Sequence, residues 1–395
     1  MSVSSDARHA SAPVLAFWYD RDKRAVIYQI LLVLAIVFVA WYLISNTLQN
    51  MASRNIASGF SFLHRESGFA ISEHMIDYSA ASTYGRAYVV GILNTLKVSA
   101  VGIVLATILG TIIGLARLSS NWLVAKLASV YIETVRNVPL LLQLFLWYGL
   151  ISTLPGPRQA LQPLPDVFLS NRGLKIPELD WHPVYWVMLG LIALGFVIAA
   201  GLSRWSRQRQ AATGKPVPIL WPALGVILGP ALAAFLIAGA PFKPDLPKLT
   251  GFNFVGGADL SPEFFALLFG LVTYTAAFIA ENVRAGILAV AKGQTEAALA
   301  LGLSKGRVMR MVVLPQALRV IVPPTTSQYL NLTKNSSLAV GIGFPDLVSI
   351  ANTTMNQTGQ AIEGIALIMS VYLTLSLLIS LFMNWYNKHI ALVER

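Results

Sequence analysis

The chain has 395 residues, of which 55% are hydrophobic and only 12% charged. An average soluble domain is about 25% charged, so this composition, with a mean hydropathy of +0.64, belongs in lipid. The net charge of +11 would point to nucleic acid in a soluble protein. In a membrane protein Lys and Arg gather in cytoplasmic loops instead, and no nucleic-acid partner is implied. With no cysteine, disulfides and thiolate metal sites are excluded.

Residues 1–24 are polar and end in Arg21, Lys23 and Arg24. The apolar run 25–47 is too long for a signal-peptide core and no small-residue cleavage site follows it, so it reads as a retained first span. A span needs about 20 apolar residues. Further spans are predicted at 87–116, 138–154, 183–202, 217–240, 264–280 and 365–385. The stretch 138–154 is short, and 123–136 could be an interfacial helix. An eighth stretch, 320–344, is too polar to assign by hydropathy.

Charge assigns the eighth. With the N-terminus inside and strict alternation, the inside segments 1–24, 117–136, 204–216, 284–319 and the tail from 388 hold 19 basic residues. The outside segments 48–86, 155–182, 241–262 and 345–362 hold 8. That is the positive-inside pattern. Both 284–319 and the tail are inside only if two spans separate them, which makes 320–344 a span. The expected fold is all-α and membrane-integral, with eight spans and both termini cytoplasmic.

The longest inside loop, 284–319, carries the strongest local signal. Thr295 is placed to cap a short helix over 296–301, with Glu296 near its positive end. Ala297 and Ala298 give it a smooth face, and Gly302 supplies a left-handed stop. A second helix, 304–316, follows, and Pro315 bends the chain toward the next span. A short helix between two spans can pass on a push from a cytoplasmic partner. An ordinary interfacial amphipathic loop has the same physics.

These residues resemble the signature of the permeases of ATP-binding-cassette (ABC) importers: Glu-Ala-Ala, three residues, Gly, nine residues, Ile-x-Leu-Pro. The match is Glu296-Ala297-Ala298, Gly302, Val312 in place of Ile, and Leu314-Pro315. The resemblance implies that the short helix couples to a separate ATPase. Glu133, Arg136, Pro139 and Gln143 are similar to a pattern of the polar amino-acid branch, where they imply an inner gate. Gly91-Ile-Leu-Asn94-Thr95 and Lys334-Asn335-Ser336-Ser337-Leu338-Ala339 resemble core helices of that branch. The resemblance covers about 85–155 and 262–390, a five-helix core. An added N-terminal span (25–86) and a two-helix insertion (156–261) are similar to the larger, Q-type permease subunits of proteobacterial general L-amino-acid importers. It implies a bacterial inner-membrane protein partnered by a second homologous permease, an ABC ATPase dimer that binds ATP-Mg, a periplasmic binding protein and an amino-acid substrate.

The polar eighth span stands out without any family. Gln328, Asn331, Thr333, Lys334, Asn335, Ser336 and Ser337 crowd into it, and lipid-facing polar groups at this density are costly. They line a water-filled path or hydrogen-bond between helices. Pro323 and Pro324 are expected to break or kink its start, as in helices that line transport paths. Lys334 is placed to meet a carboxylate, or to pair with Glu281; Lys97 is expected to snorkel. Glu133–Arg136 and Glu281–Arg284 have the spacing of helical ion pairs.

There is no G-x-x-x-x-G-K-[ST], so the chain holds no P-loop and no cofactor of its own is expected. The five dispersed histidines imply no metal site. The translocation subunit of an ATP-driven L-amino-acid importer is the leading reading, not an enzyme. An ion-coupled amino-acid transporter or channel is the alternative.

Overall fold

The computed structural model describes residues 21–53, 58–214 and 217–390. Most of the expected cytoplasmic segment 1–24 and the last tail residues lie outside these. Six helices are long and apolar enough to cross a membrane, or up to eight if each of two bent pairs is one span. The six are α1 (Arg21–Ser53), α2 (Tyr84–Arg117), α5 (Val184–Thr213), α6 (Leu220–Ile237), α7 (Pro262–Leu288) and α12 (Ala361–Ile390).

The core forms where small residues let helices meet. Lipid offers no hydrophobic drive for helices to associate, so close backbone approach and dispersion hold them. A Cβ on Gly110 of α2 would lie 2.7 Å from the Ile279 Cβ and 2.8 Å from the Ala276 carbonyl of α7. On Gly114 it would lie 2.7 Å from the Ala280 carbonyl. Leu144, Leu267, Leu271, Ile279, Leu332 and Phe344 fill the buried centre.

The contacts also give direction. Along α2, Lys97 lies against Phe264, Gly114 against Ala280, and Arg117 against Glu281. The two helices therefore run parallel. An odd number of crossings must separate parallel spans. Because α5 and α6 form a hairpin, they contribute an even number. The remaining crossing falls to the pair α3 (Trp122–Asn137) and α4 (Leu140–Ser152), bent by 105°. The expected span 138–154 is thus only the second arm of a broken one.

Pro139 explains the break. It has no N–H, so the Val135 carbonyl four residues back loses its helical donor. The Gln143 side chain supplies the substitute: its Nε2 donates to the Val135 and Val138 carbonyls, both at 2.9 Å.

The insertion holds more than two helices. Stretches that read as loops form a small antiparallel sheet ordered β1-β2-β3-β8. Its strands are β1 (Leu161–Leu164), β2 (Val167–Ser170), β3 (Gly173–Ile176) and β8 (Ala258–Leu260). Two two-stranded pairings accompany it: β4 (Glu178–Leu179) with β5 (Pro244–Asp245), on either side of the α5–α6 helices in the chain, and the hairpin of β6 (Lys248–Thr250) with β7 (Asn253–Val255). The two halves of the insertion close on each other where Leu174 faces Leu260 and Lys175 pairs with Asp259 at 2.8 Å.

Beyond the signature loop, α10 (Leu314–Asn335) continues through Pro323 and Pro324 without the break the sequence allowed. Proline's fixed φ suits a helix, and packing on α2, α7 and α12 offsets the two lost donors. A 3₁₀ turn over Ser336–Ile342 follows, then a left-handed Gly343 (φ 82°). Next comes α11 (Leu347–Thr358), with a 51° bend at the break. Asp346 caps it, accepting from the Ser349 N–H at 2.8 Å. The sequence read this segment as a loop; it is a helix whose Leu347, Ile350, Ala351 and Thr354 are buried. The last helix, α12, returns beside α10, so its end reaches the signature-loop end of the bundle.

Two outcomes test this frame. Gly110→Val and Gly114→Val each overpack the α2–α7 contact at a cost of about 1–3 kcal/mol or more; Gly149→Ala, which meets open space, does not. Thermal unfolding in detergent separates them. Gln143→Leu leaves two carbonyls unpaired, about 1–3 kcal/mol each, and lowers the midpoint; a midpoint equal to wild type would remove Gln143 from the bend.

Candidate coupling and translocation site

The signature loop is a small folded unit. Its helix α8 (Lys292–Ala300) starts a turn earlier than expected. Ala291 occupies the cap position, and Thr295 lies inside the helix, because Lys292 to Gln294 join the first turn. The far end closes as the sequence suggests. Gly302 takes φ 79°. Its N–H bonds to the Leu299 carbonyl at 2.9 Å, and the Leu303 N–H bonds to the Ala298 carbonyl at 3.3 Å. That pair of bonds satisfies two carbonyls the helix end leaves open, and only glycine adopts the conformation without strain.

Packing gives α8 two faces. Ala298 is buried against Val308 and Val313, with Leu303 and Val312 beside them. Glu296, Ala297 and Leu299 stay exposed, and Leu301 at the helix end is 83% exposed. After α8 comes α9 (Lys305–Val308), then a π-turn over Met309–Val313, and α10 begins at Leu314. Pro315 brings no N–H to the Met311 carbonyl, and the wider π-turn falls where that bond is missing. Signature residues are thus split between packing (Ala298), closure (Gly302), the start of α10 (Leu314, Pro315) and an open face (Glu296, Ala297).

A charged cluster lies near the same end. Glu281 is held by Arg284 and by Arg117, each at 2.5 Å. Arg117 also reaches Glu133 at 3.7 Å. Glu133 therefore pairs with Arg117 and not with Arg136, which lies over the Phe278 ring at 5.0 Å. The expected alternative pairing of Lys334 with Glu281 does not form: Glu281 lies near the signature-loop end with Arg117 and Arg284, while Lys334 lies at the far end of α10. Of the four candidate gate residues, Glu133 and Arg136 face this cluster, while Pro139 and Gln143 build the adjoining bend.

The polar residues of α10 divide. Ser327, Asn331 and Lys334 lie exposed at spacings of four and three, one stripe along the helix. Gln328, Asn335 and Ser337 are half-buried. Ser336 and Thr333 are buried and spend their hydroxyls on the helix itself, bonding the Thr333 and Tyr329 carbonyls at 2.7 and 3.0 Å. Lys334 borders a groove of about 650 Å³ shared with Met369, Ser370, Tyr372 and Ser376 of α12. Sequence reasoning missed Glu73: Lys97 does not snorkel but pairs with it at 2.7 Å. The only hint was that a lysine beside a span needs a partner.

Residues 211–392 match the family model described as the binding-protein-dependent transport system inner membrane component. The chain is 50% identical over 384 residues to the general L-amino acid transport system permease protein AapQ of Rhizobium johnstonii, covering 95% of this chain and 94% of that one. It is 52% identical over 375 residues to the putative amino-acid ABC transporter permease protein YhdX of Escherichia coli, covering 94% and 95%. It is 42% identical over 430 residues, covering all of both chains, to the glutamate/glutamine/aspartate/asparagine transport system permease protein BztB of Rhodobacter capsulatus. With a core of closely packed membrane helices, a folded signature loop between two of them and relatives matched from end to end, the chain belongs to the inner-membrane permease subunits of binding-protein-dependent ABC transport systems.

Proposed function

We propose that this chain forms part of the translocation path of an ATP-driven importer of L-amino acids and receives its drive through α8. The open face of α8 carries the reading. A membrane protein gains nothing by leaving Leu301 and Leu299 in water beside a rigid glycine turn, unless another protein covers them. Ala298 and the small core behind it hold that face in place.

The partner at α8 is an ABC ATPase dimer, which binds the ATP-Mg that this chain has no P-loop to hold. A periplasmic binding protein delivers the substrate, and a second, homologous permease faces the polar stripe of α10. The amino-acid class follows from the names of the relatives. The charge asymmetry supports placing loop 284–319 and both termini in the cytoplasm of a bacterium, across its inner membrane. On this reading 87–155 and 262–390 are the permease core, while 25–86 and 156–261 are additions to it. Glu133, Arg136 and the Glu281 cluster act at the inner gate, next to the moving loop. Gln328, Asn331, Lys334, Asn335, Ser336 and Ser337 lie along the path, with Ser336 acting through helix shape because it is buried.

The test is mutation of the open face and its closure. Gly302→Asp strains the left-handed turn, Glu296→Lys reverses a charge, and Leu301→Asp removes the apolar contact. Each is expected to lower ATP-driven uptake of labelled amino acids at least tenfold, about 1.4 kcal/mol of lost coupling, while membrane insertion stays normal. Leu301→Asp should also stop the ATPase copurifying. Normal uptake in all three variants, or wild-type uptake that survives ATP depletion but not uncouplers, would sink the reading in favour of an ion-coupled transporter.

A further inference from the structure

Lys97 sits where the apolar part of α2 begins, at the end of the bundle away from the signature loop. Its ammonium lies 2.7 Å from one carboxylate oxygen of Glu73 and 4.4 Å from the centre of the Phe264 ring. The other Glu73 oxygen accepts from the Ser261 hydroxyl at 2.9 Å. Ser261 is also the N-cap of α7, accepting from the Phe264 N–H at 3.1 Å. The carboxylate therefore meets an ammonium, a hydroxyl and the positive end of a 27-residue helix. The neighbouring Glu263 accepts from the Tyr148 hydroxyl at 3.1 Å.

Glu73 is not part of any helix. It belongs to residues 58–83, ahead of α2, which fold back along the first turns of α2. Asn94 Nδ2 holds the main chain there, donating to the Glu73 carbonyl at 2.8 Å and to the Pro345 carbonyl at 2.9 Å. Further along, the Gly59 N–H donates to Glu363 at 2.6 Å and Gln360 Nε2 donates to the Gly59 carbonyl at 2.9 Å. The segment is thus a strap across this end of the core, and its one inward acid occupies a ready-made set of carboxylate donors. Nothing in the helices themselves requires that the carboxylate belong to Glu73.

We propose that Lys97, Ser261 and the N-terminus of α7 form a carboxylate-binding site, filled in this structure by the chain's own Glu73, that takes the α-carboxylate of the transported amino acid when the strap yields. This rests on the importer reading above. The exchange swaps one carboxylate for another, so Lys97 is never left unpaired beside the membrane, where a lone ammonium is costly. Phe264 supplies an apolar wall with a face that favours the cation.

The test uses the permease assembled with its ATPase in lipid nanodiscs, without binding protein, and labelled L-glutamine as probe. Glu73→Ala removes a tethered competitor and is expected to hold the probe at least about tenfold more tightly than wild type. Unlabelled L-glutamine and acetate should compete, and the α-amide of glutamine should not. Lys97→Met in the Glu73→Ala background should abolish the gain; if that double variant does not fold, the acid-versus-amide comparison decides without touching Lys97. Binding by Glu73→Ala no tighter than wild type, or equal competition by the amide, overturns the site. ATP-driven glutamine uptake by the wild-type assembly with its binding protein is measured alongside. Uptake with no gain in Glu73→Ala sinks the site alone, whereas no ATP-driven uptake sinks the importer reading and the site together.

Discussion

The close approach of α2 to α7 is the contact on which the other parts depend. It exists because Gly110 and Gly114 present no side chain where Ala276, Ile279 and Ala280 arrive. In lipid this fit is the main source of attraction, since apolar side chains gain little by leaving acyl chains for each other. The contact fixes both ends of the bundle. At one end it brings Arg117 to Glu281, and at the other it brings Lys97 under Ser261 and Phe264. A charged cluster at each end of a parallel helix pair is a geometric consequence of that packing.

The signature loop is mounted on the same frame. The chain leaves α7, closes the small core around Ala298, and enters α10, which runs back antiparallel to α7. Gly286 of α7 leaves space that Ala317 and Ile321 of α10 occupy. Higher up, Leu332 of α10 packs on Gly102 of α2. The Gly302 turn and the π-turn before Pro315 connect α8 to α10, and α10 packs past α2 before it reaches the stripe around Lys334. Close packing makes such elements move as units.

Much of this was legible in the sequence, and the failures have physical causes. Hydropathy located the long spans because a run of some 20 apolar residues matches the thickness of a bilayer and suits little else. Charge asymmetry placed 320–344 as a span where hydropathy could not, and the antiparallel course of α10 agrees. The glycine turn at Gly302 was readable because few residues tolerate a left-handed backbone. The bend at Pro139 was not read from the sequence, where 138–154 passed for a short span, and its repair by Gln143 depends on a side chain reaching back along the chain. The β-strands were too short to show any period. The run from Asn352 to Thr358 looks like a loop by composition, and only its burial on α2 and α12 makes it helix. Lys97 was given no partner and Glu281 an incomplete set, because ion pairs join elements far apart in sequence.

The exposed surfaces now separate by what can cover them. Along α1, large apolar side chains from Leu31 to Leu48 are more than half exposed on every side, a helix that acyl chains can solvate completely. The α10 stripe is the opposite case. Ser327, Asn331 and Lys334 lie open on a helix in the middle of the fold, and acyl chains offer them no hydrogen bond. Such a face is stable only against water or another polar protein surface. The same criterion applies at α8, whose exposed leucines are unsuited to water and suit an apolar cover. One helix thus suits lipid, one requires water or a polar neighbour, and one presents leucines that suit an apolar cover. The last two surfaces lie toward opposite ends of α10, so whatever covers either of them bears on the same helix.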